Sequence, residues 1–526
     1  MAHFSQAHIC QCLTGISTRR RNSVVAVTAD RVLTGEQFAN RVWALANGLR
    51  DLGLRPGDVV AICAFNSDSY LVWLLAVAFV GGIFAPLNHR WSSKEAKSAI
   101  TSVQPVMLIT DESCSSWDGD GDSVLPCIRW RIFLEPWRSS CLTMEILMEC
   151  NEQPLHPTYS FAPDSAAIIC FTSGTTGRAK GVVISHSALV IQSLAKIAVV
   201  GYNENDVYLH TTPLCHIGGL SSALALLMVG GCHILLPKFE TVAVVDAIRC
   251  NSVTSLITVP AMMADMVSAG VRYHTITKIL NGGGSLSSDV LSKAKKCFPR
   301  ARILSAYGMT EASSSLTFMT LQDPINEIPP QKSQIHLSEA SSFEETLTSG
   351  VCVGTPAPHV ELKIHRGRIL VRGPHLMLRY WEQDRAKENE EQWLDTGDVG
   401  SIDSKGNLWL IGRSNGRIKS GGENVYPEEV EGVLLEHPGV AAAAVVGVPD
   451  PRLSEMVVAC IKMREGWEWS DDDLRNHCRR QLSRFKVPRM FILWKKPFPL
   501  TSTGKIRRDQ VSNDIVSSTQ FPRSRI

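Results

Sequence analysis

Between Ile168 and Ser185 the chain reads IICFTSGTTGRAKGVVIS: an apolar strand, then a loop of glycine, hydroxyl and basic side chains, then apolar chain again. Gly174, Gly177 and Gly181 let the backbone fold back and expose N–H groups. Thr172, Ser173, Thr175 and Thr176 add hydroxyl donors, and Lys180 adds a positive charge. Such a cluster of donors suits an anion, phosphate above all. It is not a P-loop, which requires G-x-x-x-x-G-K-[ST]; here no hydroxyl residue follows the lysine to reach a metal. Read without its context, the same stretch is also compatible with an ordinary Gly/Ser/Thr surface turn.

A phosphate loop needs a scaffold, and 526 residues are too many for one ordinary core, so two or more domains are expected. Lys plus Arg (53) nearly balances Asp plus Glu (51), which leaves no global field to draw the chain to nucleic acid or an anionic membrane. The 15 cysteines contain no C-x-x-C pair, and most sit in apolar stretches such as Ile169-Cys170-Phe171, which reads as buried thiols in a reducing compartment. The longest apolar run, Leu71 to Leu87, is broken by Gly81, Gly82 and Pro86. It reads as a buried helix turning into a strand, with no membrane span. The first twenty residues lack the apolar centre of a secretory signal. Residues 1–22 hold no acidic side chain and include Ser17, Thr18 and Arg19 to Arg21, a pattern shared by organelle transit peptides and plain basic helices.

From Val24 onward, short β-branched runs alternate with segments of helical spacing. Val24 to Val27, Val59 to Cys63, Val106 to Thr110, Ala167 to Phe171, His233 to Pro237, Ser255 to Val259, Lys278 to Leu280 and Arg302 to Ala306 read as buried strands in βαβ rhythm. The fold class expected is α/β: a large multi-subdomain α/β N-terminal domain over residues 1–412, followed by a smaller α+β domain over 413–526. The boundary falls where composition changes to Ser414-Asn415-Gly416. Residues 324–350, rich in Pro, Ser, Glu and Thr, read as a mobile surface insertion.

Other stretches carry possible chemistry. Pro213-Leu214-Cys215-His216-Ile217-Gly218-Gly219 sets a histidine among apolar residues and glycines; alone, a structural histidine is the better reading. Asn281-Gly282-Gly283-Gly284-Ser285 follows a strand and offers bare backbone to a flat ligand, or is a plain strand-to-helix turn. Tyr307-Gly308-Met309-Thr310-Glu311 offers an aromatic face, a hydroxyl and a carboxylate, or begins a capped helix. Asp398 in Asp395-Thr396-Gly397-Asp398 can accept from two vicinal hydroxyls, or closes an Asx turn. Lys505, in Thr501-Ser502-Thr503-Gly504-Lys505-Ile506, is by itself an exposed surface lysine.

Taken together, TSGTTGRAKG, PLCH, YGMTE, TGD and TGKI, in that order, resemble the adenylate-forming superfamily of acyl-CoA synthetases, luciferases and peptide-synthetase adenylation domains. The resemblance spans essentially the whole chain and implies the adenylate-forming fold, with the C-terminal domain as a mobile lid. It implies that Thr172 to Gly177 and Lys180 hold ATP phosphates, that Gly282, Gly283, Gly284 and Tyr307 flank adenine, and that Asp398 and Arg413 hold ribose. Thr310 would touch the α-phosphate and Glu311 a magnesium ion. His216, Ile217, Gly218, Asn281 and Ser285 would line the acyl pocket. Lys505 would serve adenylate formation, Asn415 would be the hinge, and Gly421 and Gly422 would face CoA. One departure is Asn415, where many relatives carry Asp or Lys; Asn-Gly still permits backbone rotation.

Long strings such as PLCHIGGLSSALALLMVGG and ILSAYGMTEASSSLTFMTL are similar to the plant ligases of this family that act on 2-succinylbenzoate in phylloquinone synthesis. The resemblance therefore implies a magnesium- and ATP-dependent acid–CoA ligase whose partners are a carboxylic acid, ATP and CoA. The alternatives are a ligase for another aromatic or medium-chain acid such as a coumarate, and a non-catalytic nucleotide-binding relative. Retention of Glu311, Asp398, Arg413 and Lys505 argues against the last. The ending Ser524-Arg525-Ile526 is a variant of the S-K-L peroxisomal address, and the plant resemblance adds the chloroplast; otherwise the cytoplasm is expected. Oligomeric state is not legible in the sequence.

Overall fold

The computed structural model describes residues 7–111, 113–114, 126–134, 142–149, 159–173, 179–286, 288–326, 351–383, 393–413, 417–425, 427–499 and 506–517. Local signals set the elements much as their sequences dictate. Thr34 caps the helix Gly35–Asp51 in a reciprocal box, its hydroxyl accepting from Gln37 N while the Gln37 side chain accepts from Thr34 N. The long apolar run forms, as expected, a buried helix and then a strand: the helix Asp68–Phe79, all of whose residues are buried, and the buried strand Ile83–Pro86. Among the described residues no helix is long and apolar enough to cross a membrane. Every described cysteine is free, and most are buried.

Two large mixed sheets build the N-terminal part. One has thirteen strands, with Val24–Val27, Cys232–Leu235, Val207–His210, Ser255–Thr258, Lys278–Asn281 and Arg302–Met309 paired in parallel at one end. Its other half, from Ser314–Gln322 to Glu361–His365, is antiparallel. The second sheet has seven strands, among them Val59–Cys63, Ile83–Pro86 and the hairpin Ala166–Ser173 with Ala179–Ser185. The βαβ expectation is corrected at its first step. Val24–Val27 and Val59–Cys63 do not share a sheet; the former pairs with Cys232–Leu235, some two hundred residues later. Periodicity reports that an element exists, whereas partner choice depends on which buried face it must cover.

A third sheet, of five strands, is made entirely by the C-terminal part: Glu423–Val425, Ile418–Ser420, Ser454–Met463, Val440–Asp450 and Met490–Leu493. Helices Pro427–Leu435, Asp471–Arg479 and Arg508–Ser517 accompany it. This smaller domain is docked on the larger one through charge. Lys486, 4% exposed, donates to Glu95 Oε1 at 2.6 Å across the interface and to Glu429 Oε1 at 2.8 Å within its own domain. Ser483 also donates to Glu95, and Arg452 makes a fork to Asp265 at 2.9 Å for each arm. Burial alone would lower the Lys486 ammonium pKa, but the two carboxylates outweigh it and raise it. Most of the insertion anticipated at 324–350, namely 327–350, lies outside the described residues, as do Asn415 and Lys505.

Candidate active site

The parallel strands of the thirteen-stranded sheet end where the anticipated motifs begin, the usual place for a ligand in an open α/β sheet. After Lys278–Asn281 come Gly282 to Ser285; after Arg302–Met309 comes the short turn of helix Thr310–Ala312. Val207–His210 leads to His216, which is the N-cap residue of the helix Ile217–Val229. The hairpin holding the glycine and hydroxyl loop comes from the other sheet and sets Thr172 opposite Lys180 in register. Gly174, Thr175, Thr176 and Gly177 lie outside the described residues, and Ser173 is described in its backbone alone.

On one side, a cavity of about 640 Å³ is lined by Gly283, Gly284, Ser285, Tyr307 and Asp398, faced by Lys419 and Gly447 of the smaller domain. Tyr307 Oη donates to Asp398 Oδ2 at 2.6 Å. Asp398 is 3% exposed, and burial raises its pKa even though the Tyr307 bond works the other way. Backbone register puts Arg413 beside Asp398 on the neighbouring strand. The sequence identifies Tyr307 by its ring alone; the structure adds that its hydroxyl holds the carboxylate in place.

A second cavity, of about 220 Å³, is lined by Thr172, His216, Ile217, Gly218, Gly283, Thr310 and Glu311, among others. Tyr380 Oη donates to Glu311 Oε1 at 3.0 Å, and Lys180 Nζ lies 5.3 Å from the centre of the same ring. Lys180 and the Glu311 carboxylate therefore meet at one aromatic ring. Two of the residues anticipated for the acyl pocket are placed differently. Asn281 is fully buried and is not among the lining residues; its side-chain amide donates to Gly284 O at 2.9 Å and braces the glycine loop. Ser285 lines the larger cavity instead. An amide at the end of a buried strand must satisfy its own hydrogen bonds before it can serve a ligand.

Glu423 of the smaller domain, which the sequence reading missed, reaches this cavity. Its Oε1 lies 3.0 Å from His216 Nε2, and Arg90 and Asn88 approach the same oxygen at 3.5 Å. Burial would push this carboxyl up, but His216, Arg90 and Asn88 prevail and hold it down to about 2. Glu423 follows Gly421 and Gly422, whose φ values of 59° and 86° form the left-handed turn that returns the hairpin. Gly422 approaches the large domain so closely that an added Cβ would stand 3.3 Å from Val259 Cγ1. A third cavity, of about 520 Å³, runs between the domains from Trp91, Glu95 and Phe485 to His216, Thr172 and Thr310.

Among the described residues, no group of three or more His, Cys, Asp or Glu forms a metal cage. Glu311 is a single carboxylate on a cavity shared with Thr172 and Thr310, with Lys180 across the Tyr380 ring, a donor set that fits Mg²⁺ arriving with phosphate and water ligands.

Residues 16–381 fit the model of the AMP-binding enzyme family, and residues 429–505 fit that of the AMP-binding enzyme C-terminal domain. The chain is 53% identical to the chloroplastic/peroxisomal 2-succinylbenzoate–CoA ligase of Arabidopsis thaliana, over 99% of both chains. Among solved structures, the amide bond synthetase McbA from Marinactinospora thermotolerans superposes with a TM-score of 0.80 at 27% identity, covering 96% of this chain and 99% of that one. A double mutant of the o-succinylbenzoate CoA synthetase from Bacillus subtilis, bound with a product analogue, gives 0.77 at 25%, covering 97% and 98%. With both family models matched in order and a relative of more than half identity along its full length, the chain belongs to the AMP-binding enzyme family.

Proposed function

We propose that this chain is an ATP-dependent ligase that joins 2-succinylbenzoate to CoA through an acyl-adenylate, releasing AMP and pyrophosphate. The observation that carries this reading is the 53% identity, over 99% of both chains, to the Arabidopsis thaliana enzyme of that name. In the first half-reaction the succinyl carboxylate attacks the α-phosphorus of ATP and pyrophosphate leaves. Thr172 to Gly177 and Lys180 hold the phosphates, Thr310 touches the α-phosphate, and Lys505 neutralises charge as it shifts toward the leaving group. Glu311 would hold Mg²⁺, which supplies further charge neutralisation at the phosphate oxygens. Asp398, held by Tyr307, and Arg413 bind ribose, while Gly282 to Gly284 lie along adenine.

In the second half-reaction the CoA thiol attacks the activated carbonyl and AMP departs. We read residues 1–412 as the adenylation domain and 413–526 as a lid that turns about Asn415. The orientation described here, with Gly421, Gly422 and Glu423 against Val259 and His216, supports assignment to this second step. The cavity between the domains, which reaches His216 and Thr310, gives the thiol a route. No residue in a nucleophile-elbow context is needed, because the thiol itself is the nucleophile.

The test is a pyrophosphate-release screen of carboxylic acids with ATP and Mg²⁺. The highest kcat/KM is expected with 2-succinylbenzoate; a higher value with coumarate or octanoate would replace the substrate and leave the ligase. We also propose residence in peroxisomes, chloroplasts or both, supported by Ser524-Arg525-Ile526 and by the compartments in the relative's name. An N-terminal fluorescent fusion that leaves Ile526 free should mark peroxisomes, and a diffuse cytosolic signal would count against that address.

A further inference from the structure

Lys196 belongs to none of the motifs above. It lies on the helix His186–Val200, is 0% exposed, and is among the residues that line the 220 Å³ cavity. Its hydrogen-bond partners are all neutral: Ser221 Oγ at 2.6 Å, Ser222 Oγ at 3.0 Å and Gly218 O at 3.5 Å. A buried ammonium ordinarily pairs with a carboxylate, because desolvating it alone is expensive. Burial lowers its pKa to about 7, which marks a cation short of a counter-charge.

The partners place this ammonium. Ser221 and Ser222 lie five and six residues beyond His216 on the helix that follows it, so Lys196 sits about 8 Å along that helix from the histidine at 1.5 Å per residue. Gly218 and Gly219, which line the cavity, lie between the two on this helix. An added Cβ at Gly218 would meet nothing nearer than Ile257 Cδ1 at 3.9 Å, so the wall is open to a ligand atom there. Of the other cations along the cavity, Arg90 is engaged by Glu423, and Arg417 and Lys419 come from the smaller domain. Lys196 is supplied by the large domain, deep on the acyl side.

We propose that Lys196 receives the carboxylate that is not activated, so that the site selects an aromatic acid bearing a second, free carboxylate on its ring. This rests on the ligase reading above and adds the group that reads the far end of the acid. With the succinyl carboxylate at the α-phosphate beside Thr310, the ring carboxylate is directed past Gly218 to the Lys196 ammonium. Ser221 and Ser222 keep that ammonium oriented. A buried charge left unpaired by an acid lacking the ring carboxylate makes the discrimination steep.

The test compares 2-succinylbenzoate with 4-oxo-4-phenylbutanoate, which has the same keto-acid arm and no ring carboxylate, in pyrophosphate release by the full chain and by Lys196→Met. The wild type should favour the diacid by about a hundredfold or more in kcat/KM. The methionine variant should lose about thirtyfold or more on the diacid, chiefly through KM, and stay within about threefold on the mono-acid, so that the preference collapses. Lys196→Gln, which keeps a donor to the serine hydroxyls without the charge, gives the same comparison if the methionine variant does not fold. Equal wild-type use of both acids would overturn the assignment without recourse to a variant. Equal losses on both acids would make Lys196 a purely structural bridge between the two helices, and an unchanged preference would acquit it altogether. A wild type inactive on 2-succinylbenzoate but active on another acid would remove the ligase reading's substrate as well, which separates that failure from failure of Lys196 alone.

Discussion

Tyr307 and Asp398 form a pair whose chemistry neither residue has alone. Asp398 is buried, its pKa is already raised by that burial, and the Tyr307 hydroxyl at 2.6 Å favours its ionised form. Tyr307→Phe keeps the ring and removes a hydrogen bond to a charged group, worth about 1.5–3 kcal/mol. The KM for ATP should rise about tenfold or more, and the acid limb of the pH–rate profile should move to higher pH as Asp398 protonates more readily. Lys196 gives a second prediction in stability. Its folded pKa of about 7 lies below the roughly 10.4 of an unfolded lysine. The unfolded chain therefore binds more protons between those values, and this group's destabilising effect, complete below pH 7, is relieved as pH rises toward 10. Thermal unfolding across pH 7–10 should show a component that rises with pH in the wild type and is missing in Lys196→Met; parallel curves would contradict it.

Among the elements, the hairpin Ile418–Ser420 with Glu423–Val425 carries the Glu423–His216 contact between the smaller domain and the proposed active site. Glu423→Gln keeps its shape and removes its charge from His216 and Arg90. It should slow thioester formation from supplied acyl-adenylate about ten- to hundredfold while adenylation stays within about twofold. Equal slowing of both steps would mean that this orientation is not special to the second. Asn415→Pro restricts the backbone at the proposed hinge and Ser414 before it. Single-turnover pyrophosphate release should survive in that variant and CoA-thioester formation should largely fail; unchanged rates for both would remove the hinge from Asn415.

Legibility follows the same scale. Thr172, His216, Tyr307, Thr310, Glu311 and Asp398 could be picked out because each lies within a short string that resembles a motif of the family. Glu423 and Lys196 could not. Glu423 meets His216 from 207 positions away, and Lys196 meets Ser221 from 25, across two helices whose packing no local pattern states. The elements themselves were legible from period and capping, as the Thr34 box and the buried helix Asp68–Phe79 illustrate. The partnership of Val24–Val27 with Cys232–Leu235 was not, since pairing across two hundred residues depends on the closing of the whole sheet.

For the whole molecule, three cavities among the described residues are parts of one arrangement: one beside Tyr307 and Asp398, one beside His216 and Lys196, and one between the domains. The last two share Thr172, His216 and Thr310, so the proposed thiol route and the proposed acid pocket meet at the residues proposed to bind the reacting phosphate and carboxylate. A chain of this kind should form no thioester with any one substrate missing. The most direct test is a competition in one vessel: the purified protein, ATP, Mg²⁺ and CoA with equal concentrations of 2-succinylbenzoate, coumarate and octanoate, the thioesters resolved by mass and AMP measured alongside. The expected result is 2-succinylbenzoyl-CoA as the dominant thioester, with one AMP formed per thioester and no product when ATP is omitted. Dominance of another thioester, or AMP formation with no thioester at all, would contradict it.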